Sequence, residues 1–127
     1  MNDKPKVLLM DDSELAIEVT RAALERDGFE VKSARSLAQF NMILQTWSPT
    51  IVLTDVNMPG VSGADLCRWI KRRVDTQTVP VVLFSELPDT QLADVAKRAG
   101  ADGFLSKANG VGLLSQKLVA LCEELVW

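Results

Sequence analysis

Short apolar segments alternate with longer amphipathic segments along the chain. The apolar segments, which predict strands, cover residues 6–10, 29–31, 50–54, 79–84 and 103–105. The first, third and fourth are nearly uninterrupted in apolar residues, as expected of strands that are covered on both faces. The second and fifth are shorter and more polar, which is typical of strands at the edges of a sheet.

The amphipathic segments have apolar residues at the spacing of a helix. They cover residues 13–27, 36–47, 63–74, 89–99 and 111–125. Ser13 is a suitable N-cap for the first, and Gly28 and Gly100 are suitable ends for the first and fourth. In the last segment we expect five residues in the core: Val111, Leu114, Leu118, Cys122 and Leu125.

A strand followed by a helix, repeated five times, predicts a doubly wound α/β fold with a five-stranded parallel sheet and helices on both faces. A length of 127 residues suits one domain, and we expect residues 1–127 to form it. In such sheets, ligands bind beyond the carboxyl ends of the strands. The residues that follow each predicted strand are therefore the candidates for function.

Composition excludes several classes of protein. No apolar segment reaches about 18 residues, so no transmembrane helix is predicted, and the first residues do not form a secretory signal. The net charge of −3, without a basic stripe, argues against nucleic-acid binding. Cys67 and Cys122 lack metal or redox spacing, which favours buried free thiols in a reducing cytoplasm. The absence of histidine excludes a Ser-His-Asp triad and a histidine-bound zinc site.

Charged and polar side chains follow four of the five predicted strands. They are Asp11 and Asp12 after the first, Asp55 after the third, Ser85 at the end of the fourth and Lys107 after the fifth. Two carboxylates about 4 Å apart repel by roughly 4 kcal/mol at an effective dielectric constant of about 20. A converging cluster of this kind suits Mg²⁺, with Lys107 as a fixed counter-charge.

Asp55 is the best candidate for a nucleophile because it ends the central apolar segment. A carboxylate can attack phosphorus and form an aspartyl phosphate, and a cation, a lysine and a hydroxyl would stabilise the phosphoryl oxygens. Met58, Pro59 and Gly60 then turn the chain away, and glycines at 60 and 63 permit tight backbone geometry.

The chain resembles the receiver domain of two-component response regulators, and the single-domain chemotaxis type is nearest in size. The matching elements, in order and at matching intervals, are Asp11-Asp12, Asp55 with Met58-Pro59, Gly63, Ser85 and the segment from Gly100 to Lys107. The resemblance implies a flavodoxin-like strand order, 2-1-3-4-5, and a cytoplasmic phosphorelay switch whose output is a conformation rather than a released product.

The resemblance also implies a role for each matching residue. Asp55 would accept the phosphoryl group from a histidine of a histidine kinase or a histidine phosphotransfer protein. Asp12 and Asp55 would bind Mg²⁺ directly, Asn57 through its backbone carbonyl and Asp11 through water. Lys107 would pair with Asp55 and later with the phosphate.

The same resemblance implies a switch. Ser85 would hydrogen-bond a phosphoryl oxygen and move inward on activation, and Phe104 would follow it. The two residues would report the phosphorylated state to the last two helices.

Several positions depart from the family pattern. Glu86 stands where a small residue is usual and would contact a partner or slow the entry of small phosphodonors. Leu87 cannot orient water, which predicts a long-lived phosphoryl group. Ala108 replaces the usual proline, so we expect a trans peptide bond before it. If Glu86 closes the site, the alternative is a receiver-like interaction domain that is not phosphorylated.

The first helix offers a second candidate surface for a partner. We expect Ala16, Val19 and Ala23 to face the core, with Ile17 and Leu24 pointing away from it. Because this helix borders the acidic residues, Ile17 is a candidate contact for a phosphotransfer protein.

Overall fold

The alternation of strands and helices in the sequence is reproduced in the fold. A computed structural model describes residues 4–58 and 60–125. The strands are β1 Lys6–Met10, β2 Glu30–Ala34, β3 Ile51–Thr54, β4 Asn57–Met58, β5 Val61–Ser62, β6 Val81–Ser85 and β7 Gly103–Ser106. The α-helices are α1 Glu14–Arg26, α2 Leu37–Trp47, α3 Gly63–Arg72, α4 Asp89–Ala99 and α5 Leu114–Leu125.

The five longer strands form one parallel sheet in the order β2-β1-β3-β6-β7. This is the second, first, third, fourth and fifth long strand in chain order, so the predicted doubly wound topology is confirmed. The two edge strands are the two that the sequence marks as short and more polar. β4 and β5 form a separate antiparallel hairpin between β3 and α3.

Helices cover both faces of the sheet because its buried strands are apolar on both sides. One face of the sheet packs against α1 and α5, through Ile17, Leu24, Leu114 and Leu118. The other face packs against α2, α3 and α4, through Phe40, Leu44, Ile70 and Ala99. Among the described residues, no helix is long and apolar enough to cross a membrane.

Local capping explains where the helices begin. Ser13, Ser36 and Ser62 each accept a backbone N–H from the first turn of α1, α2 and α3, which satisfies a donor that the helix leaves free. Gly100 ends α4 in a left-handed conformation, with φ of 77°, which glycine adopts without steric cost. The predicted ends of the first and fourth helices therefore lie within one residue of the observed ends.

The prediction for the faces of α1 is wrong at Ile17, Val19 and Leu24, although Ala23 is buried as expected. Ile17 and Leu24 are 4% and 0% exposed, whereas Val19 is 48% exposed. The buried residues of α1 are Ile17, Thr20, Ala23 and Leu24. The inward stripe is therefore shifted by one residue from the predicted stripe, except at Ala23, which belongs to both. Ile17 therefore presents no surface for a partner, and the prediction that it contacts a phosphotransfer protein is wrong.

The bounds of β2 and β6 differ most from the predicted segments. β2 extends to Ala34 because Lys32 and Ser33 pair in register with Leu8 and Leu9 of β1, although the apolar pattern stops earlier. β6 begins at Val81, after a turn in which the Val79 N–H donates to the Thr76 carbonyl.

Candidate functional site

The carboxyl ends of β1, β3, β6 and β7 meet at one edge of the sheet and form a cleft of about 330 Å³. Its lining residues are Asp11, Asp12, Ser13, Ala16, Asp55, Asn57, Ser85, Glu86 and Lys107. The parallel topology thus brings together the residues that follow the predicted strands. Pro59, which belongs to the motif after Asp55, lies outside the described residues.

Asp11 is the most buried of the three acidic residues in the cleft. Only 3% of the residue is exposed. Its Oδ1 accepts the Ser13 N–H at 3.0 Å, and its Oδ2 lies 3.0 Å from the Lys107 Nζ. Both carboxylate oxygens are therefore engaged, which offsets the cost of burying this charge.

Asp55 is partly buried beside the same lysine. Its Oδ2 lies 3.7 Å from the Lys107 Nζ, and its Oδ1 accepts the Val56 N–H at 2.8 Å. Burial raises the pKa of the Asp55 carboxyl above its ordinary value, Lys107 opposes this effect, and Asp11 adds to it. Lys107 therefore makes the expected ion pair with Asp55 and a second, shorter one with Asp11.

Gly63, the first residue of α3, makes the turn behind Asp55 possible. Its N–H donates to the Val56 carbonyl at 2.9 Å. A Cβ at this position would lie 2.9 Å from the Asp55 carbonyl carbon and closer still to the Asp55 carbonyl oxygen. The approach of α3 to the Asp55 backbone therefore requires glycine.

The donor set fits a hard divalent cation. One carboxylate oxygen from each of Asp11, Asp12 and Asp55 lies within 4.8 Å of the other two. Oxygens on opposite sides of Mg²⁺ are about 4 Å apart, since each bond is about 2.1 Å, and a water-mediated ligand lies farther away. Asn57 is exposed at the rim of the same cleft.

Ser85 and Phe104 lie on adjacent strands next to the cleft. Ser85 is 1% exposed, and its Oγ accepts the Leu87 N–H at 3.2 Å. Phe104 pairs in register with Leu83 of β6 and packs, half-buried, against a small apolar cluster that includes Leu92 and Ala96 of α4.

The three departures from the family pattern lie in described parts of the chain, and Leu87 packs, half-buried, against the apolar cluster that includes Leu92. Glu86 is exposed and lines the cleft, so its carboxylate is at the entrance rather than in the core. The bond before Ala108 is trans, as expected, because no cis peptide bond occurs in the described part of the chain.

Two contacts at the site are absent from the sequence-based prediction. One is the close pairing of Lys107 with Asp11, and the other is the ring of Phe84, whose centroid lies 5.5 Å from the Lys107 Nζ. Both depend on distances between segments far apart in the chain. The apolar pattern of β6 indicates only that Phe84 is buried.

A family model and individual relatives both match nearly the whole chain. The family model "Response regulator receiver domain" matches residues 7–119. The chain is 36% identical over 124 residues to the transcriptional regulatory protein CseB of Streptomyces coelicolor, covering 98% of this chain and 52% of CseB. It is 31% identical over 123 residues to protein RcaC of Microchaete diplosiphon, covering 96% of this chain and 19% of RcaC.

Solved structures show the same fold. The receiver domain of a signal transduction histidine kinase from Syntrophus aciditrophicus superimposes with a TM-score of 0.84 at 28% identity, covering 94% of this chain and 91% of that one. The chemotaxis response regulator CheY4 of Vibrio cholerae gives a TM-score of 0.84 at 23% identity, covering 94% and 99%. At that identity, the second comparison supports the fold alone.

A doubly wound domain with an acidic cleft and a lysine at the carboxyl edge of its sheet has the architecture of the receiver domains of two-component response regulators. The chain is a member of the response regulator receiver domain family. It spans about half the length of CseB and a smaller part of RcaC.

Proposed function

We propose that Asp55 accepts a phosphoryl group from a phosphohistidine of a histidine kinase or a histidine phosphotransfer protein. The observation that carries this proposal is the position of the Asp55 carboxylate, 3.7 Å from the Lys107 ammonium and within the carboxylate cluster. An Asp55 oxygen attacks phosphorus, the phosphorus–nitrogen bond breaks, and its electron pair stays on the donor imidazole.

Mg²⁺ is the proposed cofactor and supplies positive charge for the phosphoryl oxygens during transfer. Asp12 and Asp55 would hold it directly, Asn57 through its backbone carbonyl and Asp11 through water. The span of the three carboxylates supports this assignment.

Lys107 and Ser85 would bind the phosphoryl group after transfer. The Lys107 ammonium already lies between Asp11 and Asp55, so it can contact a phosphoryl oxygen without leaving Asp11. The Ser85 Oγ accepts the Leu87 N–H, which leaves the hydroxyl hydrogen available to donate to that oxygen.

The phosphorylated state would be read through Ser85 and Phe104. Movement of the Ser85 hydroxyl toward the phosphoryl group alters the space beside Phe104, whose ring packs against α4. This coupling biases a two-state equilibrium. Glu86, at the entrance of the cleft, is proposed to contact the protein partner.

The proposal extends to the chain as a whole. We infer that residues 1–127 act as one receiver domain in the cytoplasm, without binding nucleic acid or membranes through this domain. The net charge of −3 supports the part that concerns nucleic acid.

The test is incubation with Mg²⁺ and a phosphorylated histidine phosphotransfer protein, followed by detection of an acid-stable and base-labile label. The wild type is compared with Asp55→Asn and with Asp94→Asn, a control in which an exposed acid of α4 is changed. We expect label on the wild type and on the control but none on Asp55→Asn. If none of several phosphohistidine donors labels the wild type, the result would instead favour the alternative, a receiver-like interaction domain that is not phosphorylated.

A further inference from the structure

The Lys107 ammonium lies close to three groups that attract it. Its Nζ lies 3.0 Å from the Asp11 Oδ2 and 3.7 Å from the Asp55 Oδ2. It also lies 5.5 Å from the centroid of the Phe84 ring, which is within the range of a cation–π interaction. The lysine side chain is 20% exposed, so little solvent screens these contacts.

Phe84 is fixed where it lies. It is 3% exposed, it precedes Ser85 in β6, and it pairs in register with Leu105 of β7. The ring belongs to the core cluster that β1, α1 and α5 share. A ring held in this way cannot follow the ammonium, so it provides a fixed reference point for the ammonium.

Contact with a carboxylate alone does not fix the position of a lysine. The four-carbon stem of Lys107 is flexible, and an ammonium bound only to Asp11 can rotate about that contact. Attraction from the face of the Phe84 ring restricts it further. Unlike a carboxylate, the ring adds no negative charge that would repel an incoming phosphoryl group.

We propose that Phe84 is a positioning residue whose ring holds the Lys107 ammonium at the place where the phosphoryl group arrives. This inference rests on the proposed function of Asp55. The ring does not touch the reacting atoms, and it acts through Lys107.

The experiment changes the charge distribution of the ring and keeps its shape nearly unchanged. Phe84 is replaced by mono-, di- and trifluorophenylalanine, which weaken the negative face of the ring in steps. The same analogues at Phe40, a fully buried ring of the opposite face of the sheet, serve as the matched control. Thermal unfolding of each variant shows whether the fold is retained.

Two measurements follow on each variant. The first is the order of the Lys107 ammonium, from ¹⁵N relaxation of its Nζ in the unphosphorylated protein. The second is the rate of Asp55 phosphorylation by the phosphohistidine donor. We expect both to fall with each added fluorine at Phe84, with a total loss of rate of roughly two-fold to thirty-fold, and neither to change in the Phe40 series.

The outcomes separate the two proposals. An unchanged Lys107 order across the Phe84 series, or a rate that does not follow fluorination in a protein whose wild type is labelled, overturns the positioning role of Phe84. An unlabelled wild type overturns the proposed function of Asp55, and the catalytic part of the Phe84 proposal with it.

Discussion

Replacing Gly63 with alanine tests the geometry on which the candidate site depends. The added methyl group would lie 2.9 Å from both the Val56 Cα and the Asp55 carbonyl carbon, and closer to the Asp55 carbonyl oxygen. These neighbours are backbone atoms, so the clash cannot be relieved by a change of rotamer. Either α3 or the segment that carries Asp55 has to move.

The expected loss of stability follows from two contributions. Overpacking costs about 1–3 kcal/mol. Movement of α3 away from the segment that carries Asp55 and Val56 also loses the hydrogen bond from the Gly63 N–H to the Val56 carbonyl, worth about 1 kcal/mol. Gly63 is at the start of α3, so a better helix propensity offsets little of this. We expect Gly63→Ala to lower the free energy of unfolding by about 2–4 kcal/mol.

The assay is urea unfolding followed by circular dichroism, together with the rate of Asp55 phosphorylation on the folded fraction. Gly112→Ala is the matched control, because a Cβ there meets no atom within 4 Å. We expect the control to change stability by less than about 1 kcal/mol. If Gly63→Ala is as stable as wild type within about 0.5 kcal/mol, the close approach of α3 to Asp55 is wrong.

Three further predictions concern the core and the entrance of the cleft. Ile17→Glu should unfold the domain or cost at least about 3 kcal/mol, since it buries a charge; Leu15→Glu, at a position 74% exposed, should cost less than about 0.5 kcal/mol, and equal urea midpoints would refute this. Burial raises the pKa of Cys67 to about 11, above its unfolded value. The protonated thiol therefore contributes fully to the free energy of unfolding below about pH 9, and this contribution is lost as pH rises through about 11. The same pH dependence of the free energy of unfolding in wild type and Cys67→Ala would contradict this. Glu86→Ala should speed phosphorylation by a small anionic phosphodonor several-fold at low salt by removing a negative charge from the entrance, and an unchanged rate would exclude that effect.

The misreading of α1 shows where the sequence pattern is ambiguous. Ala16, Val19 and Ala23 have the same spacing as Ile17, Thr20 and Leu24, so both sets form a stripe along one helix. Thr20 is polar but only 3% exposed in the fold, so the apolar pattern of the sequence does not mark the inward stripe. The choice between the two stripes depends on how α1 packs against the sheet and α5.

At the site, too, some features follow from the sequence and others only from the folded structure. That Asp11, Asp55 and Lys107 meet at one edge follows from strand order and from the parallel sheet. Which carboxylate lies nearer the ammonium depends on side-chain positions within about an ångström. No local pattern specifies such distances, because Lys107 and Asp11 are 96 positions apart in the chain.

The order of strands and helices, the parallel sheet and the edge that carries the reactive side chains could be derived from the amino acids alone. Hydrophobic periodicity and chain connectivity are local properties, and they are sufficient for these features. The folded chain decided the inward face of α1, the pairing of Lys107 with Asp11 and the position of the Phe84 ring near the ammonium. Each of these depends on the packing of segments that are distant in sequence, where shape and burial select one arrangement among several with the same pattern.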